Sequence, residues 1–158
     1  MKAATLKELK TELTTLFPAQ VLELCMRMAK YKKENKELLT YLLFEAKDEQ
    51  SYINEVKKLI DEQFEGMNKN NLYLSKKTIR KALRTTNKFI KYSGSKQTEV
   101  ELLIFFCKKI TSSGIPLNAN TAMSNLYSRQ VRKMIKALAT LHEDLQYDYS
   151  GEVKSLQS

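Results

Sequence analysis

TEVELLIFFCKKI, Thr98 to Ile110, spreads its apolar residues around most of a helix circumference instead of along one stripe. A helix of that kind has to be covered by neighbours on several sides, so this segment reads as the central helix of the fold. Only four Gly and two Pro interrupt the 158 residues, and nearly every intervening segment repeats its apolar positions at three-to-four spacing. That period belongs to helices, and the fold class is all-α.

About seven helices are expected. Leu6, Leu9, Leu13 and Leu16 stripe the first, and Pro18 opens the second, which carries Val21, Leu22, Cys25, Met26, Met28 and Ala29. The third holds Leu38, Leu39, Leu42, Leu43 and Ala46, and Asp48 caps a fourth with Tyr52, Ile53, Val56, Leu59, Ile60 and Phe64. After the irregular link Gly66 to Leu74, Ser75 is read as the cap of a fifth helix that stops at Gly94. The central helix is sixth, and a seventh runs from Ala119 to Gln146. Short polar links make antiparallel neighbours, which gives a helical bundle or a short HEAT-like array of αα-hairpins. A single domain is expected over residues 1–146, with the 66–74 link as the place where lobes 1–66 and 75–146 would separate. Residues 147–158 read as a flexible C-terminal tail.

Cys25 and Cys107, the only cysteines, both lie in apolar helical runs and read as reduced core thiols. There is no N-x-S/T sequon, and the N-terminal stretch alternates charge with leucine where a secretory signal would need an apolar block. The longest apolar run, Leu102 to Cys107, has six residues against the roughly twenty of a membrane span. The expectation is a cytoplasmic protein that does not enter a membrane.

Charge is unevenly placed. Residues 1–66 carry eleven Lys or Arg against twelve Asp or Glu, residues 67–136 carry fifteen against two, and residues 137–158 one against four. The stretch SKKTIRKALRTTNKFIKY, Ser75 to Tyr92, has seven cations and no acid. On a wheel with Lys76 at zero, Arg80, Lys91, Arg84, Lys77, Lys88 and Lys81 fall at about 40 to 140°, opposite Ile79, Ala82, Leu83, Phe89 and Ile90. In the last helix Arg129, Arg132, Lys133 and Lys136 share an arc of about 100°, away from Met123, Val131, Met134 and Leu138. No acid at i±4 relieves either stripe. Rows of this kind suit phosphate backbones, so Lys77, Arg80, Lys81, Arg84, Lys88, Arg129, Arg132, Lys133 and Lys136 are the candidate nucleic-acid contacts. An acidic protein partner, or self-association through the acidic N-terminal region, is the alternative.

Catalysis has no evident seat. The single His142 stands near the end of the last helix, and the carboxylate groups Glu34/Glu37, Glu45/Asp48/Glu49 and Asp61/Glu62/Glu65 have no His beside them in the spacing of a helical di-metal site. Neither a phosphate-binding glycine loop, an H-E-x-x-H helix nor a C-x-x-C pair occurs. The expected protein is therefore non-enzymatic, without metal or cofactor.

The anticipated outline is similar to that of HEAT-like DNA glycosylases of the alkylation-repair type. Those enzymes set an aromatic residue, often Trp, and an acid in a basic groove, whereas this chain has no Trp and its basic segment holds only Glu99 and Glu101. The run YKKENKELLTYLLFEAKDEQSYI, Tyr31 to Ile53, resembles a stretch of an uncharacterised family of small all-helical proteins of Bacteroidetes-type bacteria. That resemblance covers the N-terminal third, implies an intracellular bacterial protein and transfers no site residues.

Overall fold

The computed structural model describes residues 2–117 and 120–157 and is all-α, with eight α-helices and no strand among the described residues. The chain forms two compact units, Met1–Phe44 and Glu45–Ser158. The link at residues 66–74, where the sequence pattern would divide the chain into lobes, thus falls inside the second unit. The boundary lies instead within a π-helical turn, Tyr41–Glu45.

The first unit contains α1 (Leu6–Thr15), α2 (Pro18–Tyr31) and α3 (Lys33–Thr40). Thr5 opens α1 with a capping box: its backbone N–H donates to Glu8 Oε2 at 2.7 Å and its hydroxyl accepts from the Glu8 N–H at 3.3 Å. The Thr5 N–H, and the Thr5 hydroxyl donating to Glu8 Oε2 at 2.8 Å, hold the Glu8 carboxyl below its ordinary range. Pro18 starts α2, and Gln20 Oε1 accepts from the Phe17 N–H at 2.9 Å. Helices α2 and α3 pack on each other, with Asn35 Nδ2 donating to the Met28 carbonyl at 2.9 Å. No residue of these three helices is buried. Cys25, Leu42 and Leu43, expected in the core, are exposed, because an amphipathic stripe says only which face would be covered if something covered it.

The second unit is built around its own core. Helix α4 (Glu49–Glu65) starts from Asp48, whose carboxylate accepts from the Ser51 N–H at 3.0 Å. Helix α5 (Leu72–Ser93) starts three residues before the expected cap: Asn71 accepts from the Leu74 N–H at 3.1 Å, while Ser75 is buried inside the helix and donates to the Asn68 carbonyl at 2.7 Å. Gly94 ends α5 at φ 67°, a backbone conformation that other residues rarely adopt. Ser95 then caps α6 (Lys96–Ser112).

As its composition demands, α6 is central and packs against α4, α5 and α7 (Thr121–Leu138). Val100, Leu102, Leu103, Phe106, Cys107 and Ile110 are completely buried in it, and Phe106 meets Phe64 of α4 edge-on at 6.1 Å. Packing partners fix directions. Glu99 pairs with Lys133 while Cys107 lies near Tyr127, so α6 and α7 are antiparallel. Tyr52 donates to the Phe89 carbonyl and Gln63 to Thr85, so α4 and α5 are antiparallel, whereas the pairs Lys57–Glu101 and Asp61–Lys109 run α4 alongside α6. Helices α5 and α7 therefore point the same way, each packed on α6.

The last segment differs from its sequence reading. Ala119, where the seventh helix was to begin, lies outside the described residues, as does Ser158. Asn120 caps α7, which stops at Leu138. His142 caps a separate α8 (Glu143–Ser155), its Nδ1 accepting from the Asp144 N–H at 3.3 Å. The expected flexible tail is thus helical to Ser155, with Val153 and Leu156 buried. Tyr149 donates to Glu101 Oε1 at 2.7 Å, Tyr127 donates to the Leu156 carbonyl at 2.8 Å, and Lys108 pairs with Glu152. Residues 149, 153 and 156 lie on one helical face, and docking that face against α6 and α7 supplies the order that the polar composition did not announce.

Candidate functional site: the cationic face of α5 and α7

Helix α5 turns Ser75, Ile79, Ala82, Thr86 and Ile90 into the core, so its cationic arc is the outward face. Helix α7 does the same with Met123, Leu126, Gln130, Met134 and Ala137, leaving Arg129, Arg132 and Lys136 in solvent. The sequence could not say whether the two arcs adjoin. They meet at one hydrogen bond: Lys133 Nζ of α7 donates to Asn87 Oδ1 of α5 at 2.8 Å. On the helical wheel with Lys76 at zero, Asn87 stands at about 20°, the edge of the α5 arc nearest Lys76 and Arg80.

Helices α5 and α7 each pack on α6, and this bond joins their two arcs at Asn87 and Lys133.

The nine candidate residues do not contribute alike. Lys77, Arg80, Lys81, Arg84, Arg129, Arg132 and Lys136 are exposed, and among the described residues none of them makes an ion pair. Arg129 and Arg132 instead donate through Nε to the Asn125 and Ser128 carbonyls, which lays each side chain back along its own helix. Lys88 is half-buried, its ammonium 4.8 Å from the Phe89 ring centre and 5.9 Å from that of Tyr92. Lys133 is half-buried, its side chain 40% exposed. Besides Asn87 it reaches Glu99 Oε1 at 3.5 Å, and Glu99, 7% exposed, also pairs with Lys96 at 2.7 Å.

Glu99 is the residue that sequence reasoning missed. No acid neighbours Lys133 along its own helix, but α6 delivers one across the packing interface. Asn87 was missed as well, since nothing local distinguishes it from a solvated asparagine. Lys91 belongs to the α5 arc and is exposed, which adds it to the site.

Clefts occur both away from this face and at its edge. One of about 200 Å³ is lined by Lys57, Glu101, Phe105, Lys108, Tyr149 and Glu152, where Glu101 accepts from Tyr149 and pairs with Lys57 at 3.4 Å. Burial first, then the bond to Glu101, pushes the Tyr149 hydroxyl up to about 12. These groups satisfy one another and hold α8 onto α6. Another, of about 270 Å³, touches the cationic face at Arg132 and is lined also by Tyr127, Ser128 and Leu156. No group of three or more His, Cys, Asp or Glu among the described residues is placed to hold a metal ion, and no helix is long and apolar enough to cross a membrane.

Compared with protein-family models, curated proteins and solved structures, the chain matches none.

Proposed function

We propose that this chain is a non-enzymatic helical binding protein whose α5–α7 face takes up nucleic acid through its phosphates. The observation that carries the reading is the joining of two cationic rows at Lys133–Asn87, with their outward members lacking any acid to neutralise them. A face of that charge repels itself, and a phosphate backbone relieves it while releasing the counterions condensed on the nucleic acid. The test is fluorescence anisotropy with labelled oligonucleotides from low to moderate salt. The unaltered protein binds saturably with log affinity falling linearly in log salt. Arg84→Glu with Arg129→Glu, one from each row and both exposed, abolishes the signal while circular dichroism stays unchanged. Retained affinity in that variant defeats the proposal.

A second reading, a protein-interaction scaffold that self-associates or takes an acidic partner, draws on a different observation. Large apolar side chains of the first unit, among them Leu6, Phe17, Leu22, Met28 and Phe44, are more than half exposed, whereas a monomer rarely leaves contiguous apolar patches beyond a few hundred Å² uncovered. A single monomeric species in analytical ultracentrifugation at every ionic strength removes the self-associating version.

A further inference from the structure

We infer that the nucleic acid suited to the α5–α7 face is double-stranded and held by its backbone alone, without reading of bases. This rests on the function proposed above and deepens it. Proteins that hold single strands combine a cationic track with aromatic rings on which successive bases stack. The aromatic rings on this side of the molecule are largely engaged. Phe89 and Tyr92 lie edge to face at 5.7 Å, Tyr52 meets Phe89 at 6.1 Å from the other direction, and Lys88 sits over both Phe89 and Tyr92. Tyr127 has its hydroxyl tied to the Leu156 carbonyl. One ring remains available on the cationic arc: Tyr73, 74% exposed and at about 60° on the α5 wheel, at the N-terminal end of the row.

Against that single ring stand eight exposed cations, Lys77, Arg80, Lys81, Arg84, Lys91, Arg129, Arg132 and Lys136. A surface rich in charge and poor in stacking platforms gains most from the ligand with the densest phosphates. A duplex offers one negative charge per about 1.7 Å of axis, with its bases already stacked inside, so it requires nothing from aromatic side chains. The row from Lys77 to Lys91 is about 21 Å long, the rise of roughly six base pairs. The second row, joined to the first at Lys133–Asn87, extends the cations beyond a single helix, as contact with both strands of a duplex requires.

Anisotropy with a twelve-base-pair hairpin duplex, its unpaired single strand and a second duplex of unrelated sequence separates the outcomes. The expected result is a duplex preference of roughly tenfold or more at low salt, equal affinity for the two duplex sequences, and a log–log salt slope no steeper than about −7, the ceiling set by eight phosphate contacts. Tyr73→Ala leaves duplex binding unchanged. If the single strand binds as well as the duplex or better, and Tyr73→Ala weakens it, this inference is overturned while the nucleic-acid reading stands. If neither form binds at low salt, both fall together.

Discussion

The two units use the same helical vocabulary to opposite ends. In Met1–Phe44 the leucine stripes of α1 and α2 point outward and no residue of the three helices is buried, whereas in Glu45–Ser158 more than half of one helix is buried and the outward faces of α5 and α7 carry rows of charge. Amphipathicity therefore does not by itself make a core. Three short striped helices lack enough layers to enclose anything, but four helices arranged around an apolar one have them. The contrast also separates two kinds of surface: one that lacks an apolar cover, and one that lacks counter-charge.

The sharpest way to break this comparison is to cut at it. A fragment comprising residues 45–158 should keep a cooperative thermal transition, since its core residues are supplied by its own helices. A peptide of residues 1–44 should melt without cooperativity, because isolated helices shorter than about 12–15 residues are marginal in water. Loss of the cooperative transition in the larger fragment would show that its core borrows from the first unit.

Single substitutions come next in size. Phe106→Ala empties a completely buried site against Phe64 and should cost about 3–5 kcal/mol, read from urea denaturation. Leu13→Ala, at a position already 43% exposed, should cost under about 1 kcal/mol by the same measurement. Similar costs at the two sites would mean that the first unit has a covered face in solution.

The smallest effects are chemical. Cys25 is exposed and Cys107 buried, with burial pushing the Cys107 thiol up to about 12, so an aromatic disulfide reagent at neutral pH should titrate one thiol in the native protein and two in denaturant. The same thiol, together with Tyr127 and Tyr149, links stability to alkaline pH. Their folded values lie near 12 against ordinary values of 9.0 for the thiol and 10.0 for the tyrosines. The unfolded chain therefore releases these protons first. Their contribution is complete below about pH 9 and declines as pH rises toward 12, so the urea midpoint should fall over that window. A midpoint that holds constant through it would contradict the burial of these groups.

Much of this was legible from residues alone, for definable reasons. The central position of α6 follows from apolar residues on nearly all its faces, and the outward direction of the cations follows from the apolar back of the same helix. What could not be read depends on contacts remote in sequence. Asn87 and Lys133 are 46 residues apart, and Glu99 reaches Lys133 from another helix. The break before α8 had a local signal, His142 followed by Glu143 and Asp144 in a first turn, but the continuing helical period hid it. Asn71 and Ser75 are both good caps, and only the position of Asn68, whose carbonyl takes the Ser75 hydroxyl, decides between them.

The clasp between Lys133 and Asn87 has a mechanical meaning. Because Lys133 bonds Asn87 and Glu99 at once, one side chain ties α5, α6 and α7 together. On the proposed function, a ligand that spans both rows would find them already joined and would spend less on ordering the protein side of the contact.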